Sequence, residues 1–173
     1  MKIGRSVSYY WDACIFLHWL SDPQKDQAVV DGIEDIVVSA ERGTATIFTS
    51  TITRIEVLRA RLDQHAADKF AELFPRAVEW ASVDPGVAQL AHDIRNFYHA
   101  PNHKDMSTPD CIHLATAIIY EASEMHTLDG SGRHTRHGLV PLSGKVMGGR
   151  YPIVIKKPLR VPPPLPPLFA TSK

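Results

Sequence analysis

The feature that most constrains this chain is an alternation: short β-forming runs and helical periods follow one another along most of its length. Residues 6–12 (SVSYYWD) are rich in β-formers and predict a first strand. Residues 13–20 continue as a short apolar helix, stopped near Ser21-Asp22-Pro23. Over residues 26–42, Val29, Val30, Ile33, Ile36, Val37 and Ala40 recur at a helical period, and Gly43 follows as a stop. Residues 44–49 are β-branched and predict a second strand. Residues 51–62 return to helical spacing, with Ile52, Ile55, Leu58 and Leu62 on one side. A further helix is expected over 66–74, ended by Pro75, and a third strand over 77–83. Residues 85–98 are helical, with Val87, Leu90, Ala91, Ile94, Phe97 and Tyr98 as the apolar side. After a polar loop, Thr108-Pro109-Asp110 opens a strong helix to about residue 122, with Thr108 as N-cap. Strands over 124–128 and 153–155 complete the pattern. Strands separated by helices argue a parallel sheet with helices on both faces, an α/β architecture.

The 173 residues suit one domain with a full core. No run of 18 apolar residues occurs, so no membrane-spanning helix is expected. The apolar stretch near the N-terminus is broken by Asp12 and His18, and no signal peptide is read there. Two cysteines without a CxxC exclude a disulfide scaffold and a zinc ribbon, so a reducing cytoplasm is the expected setting. Residues 158–173 carry six prolines and predict a polyproline-II-like tail, separate from a domain of residues 1–157.

The balanced charge hides a split. All 19 acids lie at or before Asp129, against 11 bases there, while the remaining 8 bases follow with no acid. Such asymmetry fits either polyanion binding or a basic end folded back on an acidic body.

Four acids fall where an α/β sheet places ligands, outside the carboxyl ends of its strands. Asp12 closes the first strand and Asp129 follows the late one. Glu56 lies on the helix after the second strand, and Asp110 in the first turn of a helix. Four carboxylates in one cleft cannot all stay ionised without a counter-charge, so some pKa values rise or a cation binds. Oxygen ligands without a Cys/His cluster favour magnesium or manganese over zinc. The competing reading is four scattered surface acids, the usual place of Asp and Glu. His113, three residues after Asp110, is read first as a packing residue, with hydrogen bonding near the cleft as its alternative. Cys14 and Cys111 are read as small buried thiols, not nucleophiles. The pairs His99/His103 and His134/His137 are read as solvated, not as zinc ligands.

The segments YYWDACIFLHWL, TSTITRIEVLRA, STPDCIHLATAII and MHTLDGSG resemble the four motifs of the PIN-domain family of metal-dependent ribonucleases. The resemblance spans about residues 5–157 and implies a three-layer α/β/α sandwich around a parallel sheet of about five strands. It implies metal-coordinating, catalytic roles for Asp12, Glu56, Asp110 and Asp129 towards Mg²⁺ or Mn²⁺, and support from Thr127. It also implies hydrolysis of RNA phosphodiesters, in tRNA or mRNA. Many proteins of this size in the family are toxins of the VapC type, each held inactive by a small antitoxin, and a homodimer is expected. Arg54, Arg59 and Arg95 are candidate RNA phosphate contacts. The alternatives are an RNA-processing nuclease outside a toxin–antitoxin pair, and a non-catalytic RNA-binding module. The chain departs from a minimal toxin in its basic segment 133–160 and Pro-rich tail.

Overall fold

The computed structural model describes residues 6–21, 26–59, 62–99, 105–130 and 136–160. Strand β1 (Val7–Trp11) is followed by helices α1 (Ala13–Ser21) and α2 (Gln27–Glu41). Strand β2 (Ala45–Ser50) leads into α3 (Ile52–Arg59) and α4 (Gln64–Arg76), and β3 (Val78–Ala81) into α5 (Pro85–His99) and α6 (Thr108–Ile119). After β4 (Glu124–His126), two single-turn 3-10 helices precede β5 (Val154–Lys156). The strands form one parallel sheet in the order β3-β2-β1-β4-β5, as the alternation predicts.

Period-two alternation in β1 divides the core into two layers. Tyr10 faces α5 and α6, packing with Val87, Ile94 and Leu114. Trp11 faces α1, α2 and α4, packing with Ile15, Phe16, Ile33 and Phe70. Both rings are fully buried, because a central parallel strand is covered on each face. The register sets Tyr10 between Phe48 and Met125. The order of strands reverses between β1 and β4, with β2 and β3 added on one side and β4 and β5 on the other, the position at which an α/β sheet opens a crevice.

Several local expectations are corrected. The apolar row read on α3 is not its core face: Ile55 is 68% and Leu58 58% exposed, whereas Thr53 and Val57 are fully buried. Helix α4 does not stop at Pro75 but runs to Arg76, because a proline in the last turn forfeits a single hydrogen bond near an end that frays anyway. The N-cap of α6 is Ser107, one residue before Thr108; its Oγ accepts from the Asp110 amide at 3.2 Å. Residues 127 and 128 lie beyond β4, and α6 ends at Ile119.

Part of the basic end folds back on the acidic body. Lys156 Nζ donates to Glu124 at 2.8 Å, and Arg160 clasps Asp35 and Asp31 on α2. The expected tail therefore begins as a packed strap: Pro158 is buried over Gly32, and the Arg160 amide donates to the Ala28 carbonyl at 3.1 Å. The proline repeats beyond residue 160 lie outside the described residues.

His126, at the end of β4, is 1% exposed and accepts from the Trp11 indole N–H at 3.2 Å. Burial drives its pKa down to about 4, against the pull of Glu124. A base whose folded pKa lies below its unfolded value makes stability rise with pH between the two. Stability is therefore lost as pH falls from about 6.5 towards 4. His126→Gln will flatten that part of a melting-temperature profile.

Candidate active site at the carboxyl edge of the sheet

Three elements end at the crevice beside β1, and each delivers a carboxylate. Asp12 leaves β1 at the first residue past the strand, and its amide donates to the His126 carbonyl of β4 at 3.1 Å. This bond carries the ladder one step further and fixes where the Asp12 side chain points. Asp129 lies three residues beyond β4, its amide bonded to Thr127 Oγ1 at 3.1 Å. Asp110 sits in the first turn of α6, where a helix N-terminus favours negative charge. Glu56 approaches from α3.

The side chains meet through short contacts. Thr127 Oγ1 donates to Asp12 Oδ2 at 2.7 Å, and Cys14 Sγ lies 3.2 Å from the same oxygen. His113 Nε2 lies 2.7 Å from Glu56 Oε2 and 3.3 Å from Asp12 Oδ1. Ser107 Oγ donates to Asp110 Oδ2 at 2.5 Å while capping the same helix. Asp129 Oδ2 accepts from the Leu139 amide at 3.3 Å. The structure thus gathers all four predicted acids and Thr127 on one edge.

The electrostatics report crowding of negative charge. Burial raises the Asp110 pKa, and Asp12 and Asp129 raise it further despite the Ser107 hydrogen bond. Burial raises Asp129 as well, with Asp12 adding to it. An acid whose folded pKa is raised costs stability as pH climbs through that range, because the folded state must give up a proton it prefers to keep. Asp110→Asn, which keeps an acceptor for Ser107, is expected to melt with the wild type near pH 4. It will melt progressively higher than the wild type as pH rises from there, with metal absent.

The donor set tests well against a hard divalent cation. It consists of carboxylate oxygens, two of them in contact with the His113 imidazole. Among the described residues no three His, Cys, Asp or Glu side chains are gathered closely enough to hold an ion as they stand. Mg²⁺ does not require such a cage, since it keeps several waters and is commonly held by one or two carboxylates.

His113 departs from its expected packing role. It is 1% exposed, and Tyr10, also buried, places its hydroxyl 2.5 Å from the other ring nitrogen. The sequence signals were its i, i+3 spacing from Asp110 and the place of Tyr10 two residues before Asp12. Cys14 is only partly buried, against the expectation, yet desolvation holds its pKa well up; Cys111 is buried, and burial pushes it up to about 12. Neither is an activated nucleophile. Arg54 is exposed on α3, and exposed Arg95 on α5 hydrogen-bonds Thr108 at the start of α6. The Arg59 side chain, His103 and His134 lie outside the described residues.

No curated protein matches the sequence. Among solved structures, the chain is similar to VapBC2 from Rickettsia felis bound to a promoter DNA fragment. The identity is 14% and the TM-score 0.54, over 70% of this chain and 87% of that one. It is also similar to VapC20 of Mycobacterium tuberculosis, a sarcin-ricin-loop-cleaving toxin. There the identity is 17% and the TM-score 0.51, over 70% of this chain and 90% of that one. At these identities the likeness concerns the fold alone. The sequence profile of the PIN domain matches residues 9–137, from β1 through the crevice acids to the loop after β4. With that match over most of its length, the chain belongs to the PIN domain family.

Proposed function

We propose that this protein is a divalent-metal-dependent endoribonuclease that hydrolyses RNA phosphodiester bonds, and that it is the toxin of a toxin–antitoxin pair. The observation that carries the reading is the convergence of Asp12, Glu56, Asp110 and Asp129 on the crevice between β1 and β4. Family membership and the fold shared with VapC proteins support it. Mg²⁺ or Mn²⁺ bound there would offset the crowded carboxylates, polarise a phosphoryl oxygen and lower the pKa of a bound water. Asp12 and Asp110 are the inner ligands in this reading. Glu56 and Asp129 act partly through water, one of them orienting the attacking hydroxide. Thr127 and Ser107 hold Asp12 and Asp110 in place. Arg54, Arg59 and Arg95 would meet the RNA backbone, and an antitoxin would cover the acidic edge, placing an Arg against the carboxylates.

Purified protein incubated with single-stranded and structured RNA tests the proposal. Cleavage with Mn²⁺ or Mg²⁺ that stops in EDTA, with growth arrest on expression, is the expected result. RNA bound equally with and without metal and left intact would instead identify a binding module.

A further inference from the structure

We propose that His113, held from behind by Tyr10, is a positioning residue that fixes Asp12 and Glu56 relative to one another before a cation binds. The inference rests on the metal-dependent reading above and assigns a role to a buried group that this reading does not use.

Three separate elements meet at the imidazole. Asp12 follows β1, Glu56 projects from α3, and His113 stands on α6. One ring nitrogen, Nε2, contacts Glu56 Oε2 at 2.7 Å and Asp12 Oδ1 at 3.3 Å. Ionised carboxylates only accept hydrogen bonds, so Nε2 carries the hydrogen that faces them. The other nitrogen, Nδ1, lies 2.5 Å from the Tyr10 hydroxyl, which serves it as donor or acceptor. A line of contacts thus runs from the sheet interior to the crevice, and neither ring in it has room to turn: Tyr10 is 0% and His113 1% exposed.

Packing does not account for these residues. An imidazole and a phenol buried in an apolar layer cost free energy unless hydrogen-bonded, and a leucine and a phenylalanine would fill the same space without that cost. The geometry gives the polar atoms a use. Glu56 has a long side chain that is 29% exposed and would otherwise sample several rotamers. The contact with His113 occupies one lone pair of one oxygen and leaves the rest of the carboxylate free. Asp12 accepts a hydrogen bond from Thr127 on one oxygen, and its other oxygen faces the same His113 nitrogen at ion-pair distance, 3.3 Å. Outer partners of this kind orient metal ligands, and their loss commonly lowers metal affinity by about 10- to 100-fold.

The test is calorimetric titration of Mn²⁺ into the full chain, with melting temperatures measured alongside and RNA cleavage resolved into kcat and KM. Wild type is compared with Asp12→Asn, His113→Leu, His113→Gln and Tyr10→Phe. The expected result is that His113→Leu weakens Mn²⁺ binding by about 10- to 100-fold. Tyr10→Phe is expected to give a smaller loss. His113→Gln, which keeps an N–H for Glu56, recovers part of the affinity, and kcat falls with KM little changed. If wild type binds Mn²⁺, Asp12→Asn does not, and both His113→Leu and Tyr10→Phe bind as tightly as wild type, the positioning role is overturned while the metal site stands. If wild type itself binds no Mn²⁺, the metal reading fails and the inference falls with it. Should His113→Leu not fold, Tyr10→Phe, which removes one oxygen only, decides alone.

Discussion

Asp12→Asn is expected to remain folded and to lose metal-dependent RNA cleavage by more than about 100-fold, the upper range for removing an outer partner of a metal ligand. The size of the effect follows from where Asp12 sits. It is 7% exposed, at the reversal between β1 and β4, and it is the acid whose charge raises the pKa of both Asp110 and Asp129. Asparagine keeps the side-chain length and one acceptor oxygen for Thr127, but it removes the charge that would draw a cation. The same loss of charge relieves Asp110 and Asp129 but sets an amide N–H against His113 Nε2, so the metal-free variant is expected to melt close to the wild type. Cleavage rate and melting temperature, measured on the same preparation, separate the two effects. A variant that cleaves at the wild-type rate would move the chemistry away from this crevice.

Gly32→Ala is expected to destabilise the fold by about 1–3 kcal/mol, the usual cost of forcing atoms into a filled site. Glycine inside a helix ordinarily costs about 0.5–1 kcal/mol relative to alanine, so on an open face the same change would stabilise α2. Here a Cβ at position 32 would lie 2.1 Å from the Pro158 carbonyl oxygen and 2.8 Å from the Arg160 amide nitrogen. Both are backbone atoms, which cannot swing aside as a side-chain tip can. The strap must lift, breaking the Arg160 amide bond to Ala28 and loosening the clasp on Asp31 and Asp35. Chemical denaturation measures the effect. In a chain ended at Lys157 the sign is expected to reverse, because the Pro158 and Arg160 backbone atoms that crowd the Cβ are then gone.

The architecture was legible because its signals are local and repeated. A β-forming run ending in an acid, then a helix, then another such run leaves few arrangements other than a parallel sheet. The candidate acids could be read for the same reason: the place where strands end and helices begin is visible in the chain. Choices between neighbouring residues were not visible. Ser107 and Thr108 are both good caps, and the sequence pattern alone does not choose between them. On α3 the row Ile52, Ile55, Leu58 has the right period, yet the helix turns Thr53 and Val57 inward and leaves Ile55 and Leu58 exposed. The link from Tyr10 through His113 to Glu56 joins β1, α6 and α3, and no spacing within one segment records it. The anchoring of Pro158 on Gly32 spans 126 positions of sequence and was hidden in the same way.

The most direct test of the central claim is a crystal of the full chain soaked in Mn²⁺ and measured for anomalous scattering. A peak is expected in the crevice between β1 and β4, at ordinary oxygen-ligand distance, about 2.1 Å, from a carboxylate oxygen of Asp12 or Asp110. The peak is expected to be lost in Asp12→Asn crystals. A fully soaked wild-type crystal with no peak there, or with its peak elsewhere, would contradict the account.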